Sequence, residues 1–210
     1  MDPSSCQQAL FVRKTGYTEV VEVNGMRLLL KSMDSYEEYQ DVRPLVSMVS
    51  RCSLWHSREY VEAMLGIPSY YPFIVQLLEE KEQESSPAMT ESVCAQVDLT
   101  SVDVATSDCE MGNFGIFKHK PKIIGYMEVY TLPHLGRLCD SRLERVIVDP
   151  LYRNRGICRM MMNFVTKFCK DTLHCNRIDL ISANPIAISL YEKMGFEPVE
   201  SGMFRLMLDT

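Results

Sequence analysis

The sequence has no long apolar run. No segment comes near the roughly 18 consecutive apolar residues of a membrane-spanning helix, and the first apolar stretch, residues 9–12, is too short for the core of a secretory signal. Eight cysteines are present, but none form a C-x-x-C pair and none sit in a tight Cys/His cluster. That spacing excludes the common zinc and dithiol motifs, so no metal site is expected. With no secretory signal in view, the cysteines read as reduced thiols in a cytoplasmic protein, the nucleus being the other compartment consistent with this, rather than as a disulfide framework. Basic charge is scarce in one place. Between Glu79 and Glu110 nine acidic residues accompany a single base, Lys81, so this segment carries −8 of a net −6 and the remainder is near +2. The acidity is local, and it argues against non-specific nucleic-acid binding.

What is present is enough for one domain: 210 residues, 46% of them hydrophobic. Residues 1–24 read as an N-terminal arm with a short strand at 18–23, followed by the tight-turn pair Asn24-Gly25. A strand at 26–31 leads to a helix over 36–52, capped by Asp34 or Ser35, which Pro44 should kink or split. A second helix spans 57–65 and a strand 71–78. Residues 79–120, rich in Glu, Ser, Thr and Asp, read as a flexible acidic insertion and a possible protein-partner segment. Strands follow at 122–130 and 142–148. A helix begins after residue 155 and carries apolar residues at helical spacing through Thr172. A strand at 178–182, a shorter helix opened by Asn184-Pro185 and closed by Gly195, and a strand at 204–208 complete the chain. This order implies an α+β (mixed α/β) domain over 25–210 with one central sheet.

Two segments carry chemistry. Val146-Ile147-Val148-Asp149-Pro150 runs into a short basic loop, Arg153-Asn154-Arg155-Gly156, which opens the helix at Ile157-Cys158-Arg159. The first amides of a helix have no internal partners and lie at the positive end of its dipole, so such a loop can grip a diphosphate through main-chain N–H groups. Gly156 lets the backbone approach closely, and Arg153 and Arg155 add charge. The second segment, residues 184–196, reads N-x-x-A-x-x-L-Y-x-x-x-G-F.

Together these motifs resemble those of the GNAT superfamily of acetyl-CoA-dependent N-acetyltransferases. R-x-x-G-x-C at 153–158 is similar to the family's Q/R-x-x-G-x-G/A signature, with Cys158 in place of the usual Gly or Ala. The resemblance is firm over 122–208 and loose over 26–78, and it implies a GNAT-type fold with helices flanking a mixed sheet. It implies acetyl-CoA as acetyl donor, no metal, and direct attack of a primary amine through a tetrahedral intermediate. It also implies a pantetheine arm lying along Val146, Ile147 and Val148. The diphosphate site would be formed by Arg153, Asn154, Arg155, Gly156, Ile157, Cys158 and Arg159, with Asn184 and Tyr191 beside the arm.

Acetyl transfer requires a proton donor for the departing thiolate and a base for the amine. Tyr191 fits the acid, since a phenol of pKa about 10 stays protonated at neutral pH. For the base the sequence offers two carboxylates. Glu144 shares a face with Val146 and Val148 if the strand alternates regularly, and Asp179 lies on the following strand. Arg137 is a candidate holder of an anionic substrate group. The acceptor reads as a small amine or amino sugar, although Ser182 and Arg145 stand where glucosamine-phosphate acetyltransferases carry acidic residues. Two other readings remain open. One is a protein N-terminal or lysine acetyltransferase. The other is a non-catalytic acyl-CoA-binding scaffold. Oligomeric state is not readable.

Overall fold

A computed structural model describes residues 15–49, 54–80 and 120–200. Six strands form one sheet in chain order: β1 (Thr18–Val23), β2 (Met26–Ser32), β3 (Tyr70–Glu80), β4 (Lys122–Leu132), β5 (Asp140–Val148) and β6 (Ile178–Leu180). Every neighbouring pair is antiparallel except β5 and β6, which run parallel. The expected strand at 204–208, most of the acidic insertion and the first 14 residues of the arm lie outside the described residues.

Helices cover both faces. Helices α1 (Tyr36–Val49) and α2 (Arg58–Leu65) lie on one; α3 (Ile157–Lys167) and α4 (Pro185–Lys193) lie on the other. The strand patterns follow from this arrangement. In β2, nearer the sheet edge, Met26, Leu28 and Leu30 point inward with period two, whereas β3 and β4 are buried on both faces and read as near-continuous apolar runs. On the α3 side the core includes Leu28, Leu30, Phe73, Met127, Val129 and Met161. On the α1 side it includes Val42, Leu45, Val61, Ile74, Tyr126 and Ile147.

The arm's strand is stitched to β2 through the Asn24-Gly25 turn, where both residues have positive φ (47° and 79°), as a two-residue hairpin of this kind requires. Ser35 caps α1 by accepting from the Glu38 amide at 3.2 Å, and Glu38 accepts from the Asp34 amide at 2.8 Å. Pro44 does not split α1, which continues through it to Val49. The long helix expected through Thr172 ends as a regular α-helix at Lys167 and becomes a π turn at Phe168–Thr172. That turn brings Phe168 against Tyr17, Tyr71, Phe73 and Phe164, with ring centroids 4.8 to 5.9 Å apart. Replacing Phe168 by Ala removes the hub of this cluster, a change that typically costs about 3–5 kcal/mol in a core.

Candidate functional site

The parallel pair β5–β6 is short. Only Ser141–Leu143 are in register with Ile178–Leu180. Beyond Leu143, β5 continues to Val148 with β4 on one edge, and among the described residues no strand pairs with its other edge. Among the described residues the pairing therefore stops at Leu143, leaving a wedge beside the outer edge of β5 at 146–148.

At the wide end of the wedge lies the basic loop. Asp149 caps a 3-10 turn at Pro150–Tyr152 by accepting from the Leu151 amide at 2.9 Å, and its carboxylate pairs with Lys122 at 3.0 Å. The guanidinium of Arg153 folds back and donates to the Val148 carbonyl at 3.1 Å. Arg155 pairs with Glu80 at 2.6 Å beside the Tyr152 ring. Both arginines thus brace the loop while lying beside it. Asn154 and Gly156 take left-handed conformations, with φ of 61° and 81°. A Cβ on Gly156 would stand 3.2 Å from Val23 Cγ1 and 3.4 Å from Asn24 Nδ2, so glycine is required there both by φ and by the β1–β2 turn packed behind it.

Gly156 occupies the N-cap position of α3, where among the described residues no side chain caps the helix. Ile157 is buried in the core and Cys158 is half-buried against it, so these two residues offer the loop main-chain amides rather than side chains. Burial pushes the Cys158 thiol up, keeping it a neutral, inert group. Arg159 is exposed.

Across the wedge, Asn184 caps α4, its Oδ1 accepting from the Ile186 amide at 3.0 Å. One helical stretch later Tyr191 is buried at 9% exposure, its ring 5.8 Å from that of Phe196. Burial, with the neighbouring Cys158 as a lesser cause, pushes its phenol up to about 12.

The two carboxylates expected from the sequence lie on the α1 side of the sheet. Arg145 has φ of 52°, and with Val146 it stands opposite the single residue Met127, forming a bulge in β5. Regular alternation fails there. Val146 and Val148 face the α3 side, whereas Glu144 sits opposite Glu128 on the α1 side, so Glu144 does not share their face. Glu144 Oε1 accepts from Arg142 Nε at 2.5 Å. Asp179, in register with Arg142 on β6, is about half exposed and pairs with Arg177 at 3.1 Å. Arg137 is held as well: together with His134 and Arg177 it converges on Oδ2 of the fully buried Asp140, at 2.9, 3.0 and 3.1 Å respectively.

Sequence reasoning missed the group at the centre of the α1 face. Glu128 is 3% exposed and accepts hydrogen bonds from Tyr126 Oη at 2.7 Å and Tyr130 Oη at 3.0 Å, with Arg145 Nη1 at 3.5 Å. It forms the floor of a cavity of about 410 Å³ between α1, α2 and the sheet. A shallower cleft at the bulge, containing Glu144 and Arg142, shares Glu128, Tyr130 and Arg145 with that cavity. The available signal was Tyr126-x-Glu128-x-Tyr130, a lone carboxylate flanked at i±2 within an otherwise apolar strand. Among the described residues no group of three or more His, Cys, Asp or Glu could hold a metal ion, and no helix is long and apolar enough to cross a membrane.

The chain as a whole matches known proteins. The model of the acetyltransferase (GNAT) family matches residues 72–196. Among solved structures, the chain is similar to glucosamine-6-phosphate N-acetyltransferase from Arabidopsis thaliana, at 12% identity and a TM-score of 0.56 over 85% of this chain and 97% of that one. It is also similar to ribosomal-protein-alanine N-acetyltransferase from Brucella melitensis biovar Abortus 2308, at 10% identity and 0.54 over 87% and 99%. A third is AAC(6')-Iy in complex with a bisubstrate analogue, CoA-S-monomethyl-acetylneamine, at 14% identity and 0.55 over 87% and 99%. These likenesses show a shared fold, and the family match over most of the chain shows descent: this protein is an acyltransferase belonging to the GNAT family of acetyltransferases, whose acetyl donor is acetyl-CoA.

Proposed function

We propose that the protein transfers acetyl from acetyl-CoA to the primary amine of a small molecule. One observation carries this reading: among the described residues no strand pairs with the outer edge of β5 at 146–148, which leads on one side to the mouth of α3 and adjoins, on the other, a cavity floored by a carboxylate. When bound, acetyl-CoA supplies the thioester that the acceptor nitrogen attacks.

The chain's own residues then have separable tasks. The amides of Gly156, Ile157, Cys158 and Arg159, at the positive end of α3, hold the diphosphate, while Asn154, Arg153 and Arg155 shape the loop. The outward-facing amides beside Ile147, those of Val146 and Val148, align the pantetheine arm and supply donors for charge developing on the acetyl oxygen, while the Ile147 amide faces β4. Asn184 sits at the opposite lip of the wedge. Tyr191 would lie beside the sulfur of the bound donor. Its phenol holds a proton to about 12, whereas an ordinary thiol loses one near 8.5. Tyr191 therefore stabilises the departing sulfur through a donated hydrogen bond and passes the proton late.

Glu144, in the cleft at the bulge, receives the amine's proton through water, and Asp179 is the second candidate on the same face of the sheet. The cavity's volume of about 410 Å³ suits a small acceptor.

The test is release of coenzyme A thiol from acetyl-CoA in the presence of pooled amines, with Tyr191→Phe alongside. Amine-dependent release, reduced in the variant, supports transfer. Coenzyme A binding with no turnover on any pool would instead indicate a non-catalytic scaffold.

A further inference from the structure

We infer that the cavity between α1, α2 and the sheet takes an amine carried on an apolar, preferably aromatic, stem, with the Glu128 carboxylate as anchor for the nitrogen. This inference rests on the acetyl-transfer reading and narrows its acceptor.

The walls decide the stem. Val42 and Val46 from α1 and Met64 from α2 line the cavity with Tyr70 and Tyr130, whose rings lie 5.0 Å apart. These surfaces reward apolar and aromatic contact and offer π faces to a cation. Arg43, Ser47 and His56 also line the cavity and can partner some hydroxyls, so the preference for an apolar stem over a sugar rests on the aliphatic and aromatic side chains just named.

The floor decides the nitrogen. Glu128 is buried, and its oxygens are oriented by the Tyr126 and Tyr130 hydroxyls. The phenols of Tyr70, Tyr126 and Tyr130 are all pushed up by burial and then by the Glu128 charge, so they remain donors. The carboxylate retains acceptor capacity for one more N–H. Arg145 lies 3.5 Å away on the bulge, and Arg43 also lines the cavity. The carboxylate favours the protonated amine, and the Arg145 charge partly offsets that pull, so the proton can still be given up to water before attack.

Position completes the case. Glu128 lies opposite Glu144, at the point where β5 leaves β6, so a nitrogen held there adjoins the open edge of the wedge. In the transfer step the nitrogen lone pair forms the C–N bond, the C–S bond breaks, and the ammonium proton leaves through water while the sulfur is protonated.

Three acceptors test this in the thiol-release assay: phenethylamine, glucosamine 6-phosphate and a short peptide beginning with alanine. Phenethylamine binding is also measured by calorimetry in the presence of coenzyme A, where no turnover occurs. The expected kcat/KM for phenethylamine exceeds the other two by about tenfold or more, since each missing hydroxyl partner is worth roughly that factor. Glu128→Gln weakens phenethylamine binding by about tenfold with coenzyme A affinity unchanged, and Met64→Trp, which fills the cavity, does the same if Glu128→Gln fails to fold. Preference for the sugar phosphate or the peptide, or undiminished phenethylamine binding in both variants, overturns the inference. Phenethylamine binding without any turnover would support the cavity assignment while sinking the transfer reading.

Discussion

The side-chain amide of Asn24 donates to the Arg155 carbonyl at 3.0 Å, tying the β1–β2 turn to the loop that precedes α3. Two segments 131 residues apart are thereby locked at the position where Gly156 is left-handed and where a Cβ would crowd Val23 at 3.2 Å. Gly156→Ala should therefore cost about 1–2 kcal/mol from the left-handed backbone alone. It should also displace the helix-mouth amides. The expected result is a lower Tm and coenzyme A binding weakened by about tenfold or more. An unchanged calorimetric Kd would separate the loop geometry from cofactor binding.

Tyr191→Phe should lower kcat by about a hundredfold, the usual scale for a lost proton donor, while coenzyme A affinity stays within about twofold. Because the phenol is pushed up to about 12, Tyr191 itself should produce no alkaline limb in kcat below about pH 11. A wild-type limb near pH 10 that disappears in Tyr191→Phe would contradict that environment.

Glu144→Gln should reduce kcat by about a hundredfold, and Asp179→Asn by less than about threefold, its exposed pair with Arg177 being worth little. Steady-state kinetics on both variants decides between them, and the reverse ranking would move the base to β6.

Four tyrosines, three buried and Tyr130 partly buried, make an alkaline prediction. Tyr70, Tyr126, Tyr130 and Tyr191 are all pushed up, burial being the largest cause in each. Their contribution is fully present below the unfolded value near 10 and is lost as pH rises towards their folded values. Above about pH 10 the unfolded chain has shed protons that the native state retains, so each tyrosine lowers stability by roughly 1.4 kcal/mol per pH unit. Urea unfolding at pH 9, 10 and 11 should show a steep decline, and Tyr126→Phe should remove about one tyrosine's share of the slope. An equal slope in that variant would mean the phenol ionises in the folded state.

Much of this arrangement is written locally. The Asn24-Gly25 hairpin, the Ser35 and Asn184 caps, and the left-handed Gly156 before an apolar-periodic helix all depend on near neighbours, so residue type and spacing suffice to read them. The β5 bulge is different. It places an arginine in a left-handed conformation, which costs energy and which no local preference of Arg145 announces. Period-two reasoning therefore carried Glu144 to the wrong face. Glu128 was passed over because a buried carboxylate becomes visible only through its partners, and the hydroxyls that satisfy it are recognisable as such only once β4 is known to be covered by α1 and α2. The continuity of α1 through Pro44 is likewise set by packing of Val42 and Leu45 on the sheet rather than by the proline's own preference.

Hydrogen exchange with and without coenzyme A tests most directly whether main-chain amides hold the cofactor. The expected result is slowed exchange confined to the outer edge of β5 at 146–148 and the helix mouth at 156–159, with little change in α1 and α2. Coenzyme A that binds without protecting either segment, or that protects only the α1 face, would contradict it.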